Sequence, residues 1–256
     1  PLPGAHPAAR SAEGRPVSEW WSYRAGDFLM FSPRVYARLF ELVNEAWWPL
    51  PWLLPPVGLL GVLALARGRG WAAGGAGLGA AWLFCAVVFV HGRYLPINWA
   101  VAGLLPVLLL LAVLLPLLGW QAGVAADAGG GTPASARARP LALATWALLL
   151  HPLLAPLAGL GWRQAEVIAL APDPTAIATL SLLAAMPHLP TRLWRGVVAL
   201  AWLLVLAWCL FSGFMLATMG SWNALVLLVA AALAMLARRW PAHCAAGHGS
   251  LPPPGR

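Results

Sequence analysis

The chain contains no lysine: all sixteen basic residues are arginine, set against eight acids and six histidines. Charged residues of both signs make up only 9% of its 256 residues, where a soluble domain carries about 25%. That scarcity excludes a globular domain with a water-facing surface. Three cysteines, Cys85, Cys209 and Cys244, are too few for a disulfide framework. The first two fall inside apolar runs, where a thiol packs as a small hydrophobe. Active-site signatures are missing as well. There is no Walker A loop, no Gly-x-Ser-x-Gly and no His-Glu-x-x-His, and no two histidines stand at i,i+4. These absences exclude the familiar nucleotide, hydrolase and zinc sites. No metal and no cofactor is expected, and an enzyme acting on lipid through Glu41 or His91 ranks behind non-catalytic readings.

Apolar sequence is what the chain has in quantity: 61% of it is hydrophobic. Runs near 20 residues recur, the length that a bilayer core of about 30 Å demands. The expected class is an all-α, polytopic transmembrane helix bundle with an N-terminal interfacial amphipathic helix. Seven spans are expected, at 46–66, 71–91, 97–119, 141–161, 174–190, 194–216 and 222–237. Six remain if the short fifth segment is re-entrant. Residues 1–18 and 238–256, rich in Pro, Gly and Ala, read as disordered tails, and the Gly/Ala-rich stretch 121–140 as a flexible loop. Within 19–45, Ser32 before Pro33 is a helix start, a capping hydroxyl followed by a first-turn proline. Val35, Leu39, Leu42 and Val43 then share one face, with Arg34, Arg38, Glu41 and Glu45 elsewhere, as in a helix lying in the membrane interface.

The net charge of +8 does not point to nucleic acid, because the arginines stand singly or in pairs at the ends of apolar runs. That placement sets orientation and meets anionic headgroups. Seven spans put Arg67, Arg69, Arg137, Arg139, Arg192, Arg195, Arg238 and Arg239 inside, and Arg34, Arg38, Arg93 and Arg163 outside. Six spans give the same ratio with different members, so the arginine rule does not choose between them. Of sixteen tryptophans, Trp47, Trp48, Trp71, Trp99, Trp120, Trp162, Trp194, Trp222 and Trp240 sit at span ends, as in an aromatic belt. Gly70, Gly74, Gly75 and Gly79 place small residues on the second span, a device for close helix packing or for a homodimer face.

Polar residues inside a membrane need a partner or a task. His151, before Pro152 in the fourth span, is a candidate mid-membrane relay. Glu41, Asn44, Glu45, His91, Arg93, Tyr94, Asn98, Glu166 and Asp173 gather at one mouth of the bundle, where they can meet a small polar or ionic solute. Asp173-Pro174-Thr175 also reads as a helix cap with a first-turn proline.

The stretches FELVNEAWWP (40–49), INWAV (97–101), IALAPDPTAIATLSLLAA (168–185) and ALAWLLVLAWCLFSGFMLATMGSWNALVLL (199–228) resemble, in order and spacing, a bacterial family of multi-pass membrane proteins of unknown function, sometimes labelled permease-like. The resemblance covers roughly residues 20–237. It implies a bacterial inner (cytoplasmic) membrane location and no established activity, cofactor or site residues. The expected function is a small permease or transport-associated protein for a small polar or ionic solute. The alternative is a non-catalytic scaffold or assembly subunit that binds another membrane protein. The expected partners are the lipid bilayer, such a solute, and a membrane protein or a second copy of the chain.

Overall fold

The computed structural model describes residues 31–239. The tail expected at 1–18, the first part of the interfacial segment and the C-terminal tail beyond Arg239 lie outside the described residues, and with them Trp240 and Cys244. The described residues form an all-α bundle, without a β-strand.

Helix α1 (Pro33–Ala46) begins as its sequence dictates, with Ser32 Oγ accepting from the Val35 amide and Pro33 in the first turn. Tyr36, Leu39, Phe40 and Val43 are buried, while Arg34, Arg38 and Glu45 are exposed. A bend of 85° separates α1 from α2 (Leu50–Ala66), so the first span starts at Leu50 rather than at residue 46. Helix α3 (Trp71–Tyr94) widens into π-type turns from Cys85 onward. Helix α4 opens with a 3-10 turn at Trp99 and continues to Gly130.

The loop expected at 121–140 is not there. Helix continues to Gly130, and α5 (Ala134–Leu149) starts four residues later. The alanine-rich flanks are strong helix formers. The glycines act only at the break, where Gly129 takes φ 84°. Helix α5 in turn stops short. It breaks at His151–Leu153, bends by 41° and resumes as the single turn α6 (Leu154–Leu157). Pro152 and Pro156 lack the N–H that a continuous helix needs. Helices α7 (Pro172–Ala185), α8 (Arg192–Thr218) and α9 (Asn223–Arg239) complete the chain.

Three helices are long and apolar enough to cross a bilayer unaided, α3, α4 and α8, or five if the bent pairs α1–α2 and α5–α6 each count as one span. Helix α9 has 17 residues and α7 only 14. Fourteen residues extend about 21 Å, well short of the bilayer core.

Helix α7 nevertheless organises the bundle. Every residue from Pro172 to Leu183 is buried, including Asp173, Thr175, Thr179 and Ser181, each of which has a hydrogen-bond partner. The helix starts beside Trp208, two thirds of the way along α8, and ends beside Pro140 in the first half of α5 and Arg238 at the end of α9. An irregular, partly buried stretch, 165–171, which turns at Val167–Ala171, precedes it from the α1 end. Irregular chain and half-length helix together therefore run from one end of the bundle to the other. Arg192 and Arg195 consequently share an end with Arg67 and Arg137.

The α3–α4 contact is the tightest. A Cβ added at Gly75 would lie 2.4 Å from the Leu115 carbonyl oxygen, and one at Gly79 would lie 2.7 Å from that of Ala112. The face expected to pack or dimerise through Gly75 and Gly79 is thus filled by α4 of the same chain. Gly74 makes ordinary contacts with Leu65 and Leu182. Gly70 is instead a turn residue, at φ 76° ahead of α3.

Candidate functional site

The polar residues expected at one mouth separate into four groups. The first is a latch between α1 and the segment after α6. Asn44 donates both amide hydrogens at 2.8 Å, to the carbonyls of Arg163 and Ala165. Glu45 accepts from Arg163 at 3.1 Å, and Glu41 accepts from Gln164 at 3.2 Å. Glu41 also pairs with Arg38 at 2.5 Å, and that hydrogen bond holds its carboxyl below the usual range. Asn44 is buried, and its two bonds are the anchor. Asn44→Leu strands two carbonyls, and a stability loss of about 2 kcal/mol is expected. Hydrogen exchange should then rise in residues 158–171 while α8 stays protected. Unchanged exchange in that segment would remove the anchoring role.

The second group is structural. Asn98 caps the first turn of α4, its Oδ1 accepting from the Ala100 amide at 3.1 Å, and its amide reaches the Tyr94 hydroxyl at 3.4 Å. Tyr94 is buried against Tyr36, Phe31 and Phe89. His91 and Arg93 are exposed at the end of α3, and the structure does not bring them to the other polar residues.

The third group is a cavity of about 450 Å³ at the α1 end of the bundle. His151 and Glu166 line it, with Nε2 and Oε2 3.4 Å apart and side chains only 4% and 12% exposed. Tyr36, Phe40, Trp222 and Asn223 contribute the walls, and exposed Arg34 the rim. His151 is placed by the α5 break: Pro152 stops the helix, and the imidazole packs edge-on against Trp146 of its last turns. It stands at this break near one end, not midway along a continuous span as expected. His151 Nδ1 and Asn223 Oδ1 are buried without a hydrogen-bond partner.

The fourth group is Asp173, which is not at the mouth. It is 2% exposed, inside the bundle at the start of α7. Trp208 Nε1 donates to Oδ1 and Ser212 Oγ to Oδ2, each at 2.8 Å. A buried helix start ordinarily leaves amide donors unpaired, but Pro172 and Pro174 carry no N–H. Thr175 Oγ1 satisfies the approach: it accepts from the Ala169 amide at 2.9 Å and donates to the Ala171 carbonyl at 2.7 Å. Ala169 is thereby held at φ 68°, the left-handed region that alanine rarely adopts. Lower on α7, Thr179 accepts from Trp82 Nε1 at 2.9 Å and donates to the Thr175 carbonyl.

Tyr36, Trp208, Ser212 and Asn223 were not among the expected site residues. Tryptophan read as a belt residue, and the exposed rings of Trp48, Trp99, Trp120, Trp162 and Trp222 fit that reading. Trp71 is instead buried, bonded to the Gly68 carbonyl. Trp82 and Trp208 lie far from span ends, and that position was the available signal for an interior role. Among the described residues no three His, Cys, Asp or Glu side chains stand close enough to share a metal ion.

Fold and site together define an all-α bundle with membrane-compatible helices, an end cavity, a broken α5 and a half-length central α7. No family model, curated protein or solved structure matches the chain.

Proposed function

We propose that this protein is a small permease, or a transport-associated membrane protein, of the bacterial inner membrane, and that the His151–Glu166 cavity is where a small polar solute enters. The carrying observation is the position of that pair. It lies where α5 is broken, on the irregular stretch that leads into half-length α7. Transporters place substrate at such discontinuous helices, because the interruption leaves polar groups free inside the bundle. The arginines support an orientation. Arg67, Arg69, Arg137, Arg139, Arg192 and Arg195 gather at the end opposite the cavity, which makes that end cytoplasmic and opens the cavity to the outside.

The test is osmotic swelling of proteoliposomes in glycerol, glycine or tetramethylammonium chloride, followed by light scattering. Protein-dependent swelling is expected with at least one of these, reduced about tenfold or more by His151→Ala. Rates equal to those of empty liposomes in all three would overturn the proposal. Asn98→Ala should leave the rate unchanged in whatever protein remains folded, since Asn98 caps α4 rather than lining the cavity.

A further inference from the structure

We infer that the cavity takes a small organic cation, a primary ammonium that meets the Glu166 carboxylate, with Asn223 as a second acceptor of the same lining; the inference rests on the cavity being a solute site. Both groups are short of donors. Among the described residues Glu166 has one neighbour, His151 Nε2, at a long 3.4 Å on Oε2. Asn223 Oδ1 has none. His151 takes the tautomer that donates from Nε2 to Glu166, and its Nδ1 lies on the side of the ring away from that carboxylate, so it orients Glu166 rather than holding the solute. A primary ammonium offers donors and no acceptor, which suits two groups that lack donors.

Charge selects the same class. Glu166 is a part-buried carboxylate, and among the described residues the only arginine of the lining, Arg34, is exposed at the rim. An anion would place its charge against Glu166 in a poorly hydrated space. A neutral alcohol brings one donor and no charge to meet the carboxylate. The walls suit the rest of an alkylamine: Leu154, Leu216 and Phe40 are apolar, and Tyr36 and Trp222 add aromatic lining, a surface type that attracts cations. The volume of about 450 Å³ lies within the usual range for small-molecule sites. Asp173 does not line this cavity, and its two oxygens are already engaged by Trp208 and Ser212.

Calorimetric titration of the full chain in lipid nanodiscs, with butylammonium, butanol and butyrate as probes of one shape and three charge states, tests the inference. Butylammonium should bind at least about tenfold more tightly than the other two. Glu166→Gln and Asn223→Ala should each weaken it by about tenfold, while Glu45→Gln, whose partner Arg163 is at the surface, leaves it unchanged. Equal or tighter binding of butanol or butyrate would overturn the cation class while leaving a solute site in place. Failure of all three probes to bind would also overturn the inference, and the swelling assay would then decide the transport reading by itself. If either cavity variant fails to fold, the ranking of the three probes on the native chain is decisive.

Discussion

Gly75→Leu is expected to remove the folded protein from the membrane. The added Cβ would stand 2.4 Å from the Leu115 carbonyl oxygen and 2.8 Å from Gly119 Cα. Both are backbone atoms, so no side-chain rotation relieves the clash, and α3 and α4 must separate along their contact. Overpacking a core costs about 1–3 kcal/mol and more where nothing can yield; here at least about 3 kcal/mol is expected. The contact is reciprocal, since a Cβ at Gly119 would meet the Trp71 carbonyl oxygen at 2.5 Å. In lipid, apolar faces gain little by leaving the solvent, and close packing carries helix association instead. Losing it is therefore not offset by the apolar burial that would remain. Gly77→Leu is the control. It lies on the same helix with nothing within 4 Å of its Cβ position, and a change within about 0.5 kcal/mol is expected. Thermal melts of the two variants in one detergent separate them. A Gly75→Leu protein that melts with the native chain would show that the two helices do not meet through this face.

The same glycines show what the sequence made legible. Their spacing announced a close helix approach, but not that the partner was α4 rather than a second copy, because the partner is chosen by chain topology. Composition was sufficient for the all-α class and for α3, α4 and α8, each a long apolar run. Ser32 and Pro33 marked the start of α1 by local chemistry alone. The errors arose where local rules compete. Glycines at 129–131 suggested a linker, yet helix formers on both sides close the gap to a short turn. Pro152 stood inside the expected fourth span, and the helix breaks there and bends by 41°. The short segment 174–190 suggested a span, or else a re-entrant segment; α7 covers only 14 residues of it and its flank, and the irregular stretch 165–171 covers part of the crossing. The polar groups dispersed for a related reason. A sequence places Glu41, Tyr94 and Asp173 near a loop without saying which of them turns outward, caps a helix or is drawn into the core. Only the break after α5 and the course of α7 bring His151 to Glu166 and Asp173 to Trp208.

Asp173→Leu is the second substitution with a large expected effect. It puts a larger, apolar group in the same place and leaves two buried donors, Trp208 Nε1 and Ser212 Oγ, without the acceptors that now stand 2.8 Å from each. An orphaned buried donor costs about 1–3 kcal/mol, and the pair should cost about 2–6 kcal/mol. Water cannot make up the loss readily, since Asp173 is 2% exposed and Trp208 1%. Asp173→Asn behaves differently. Its amide oxygen still accepts from Trp208, and its amide nitrogen can donate to Ser212 Oγ, whose hydroxyl turns to accept. A loss of about 1 kcal/mol is expected. The ordering Leu far below Asn, with Asn close to native, is the specific outcome of a hydrogen-bond role. Trp208→Phe supplies the cross-check, because it removes one donor with its bond and should make a further Asp173→Leu change less costly than in the native background. Equal melting points for Asp173→Leu and Asp173→Asn would mean that Trp208 and Ser212 find other partners. The start of α7 would then be held by Thr175 and the packing of Ile177 and Leu180, and not by the carboxylate between α7 and α8.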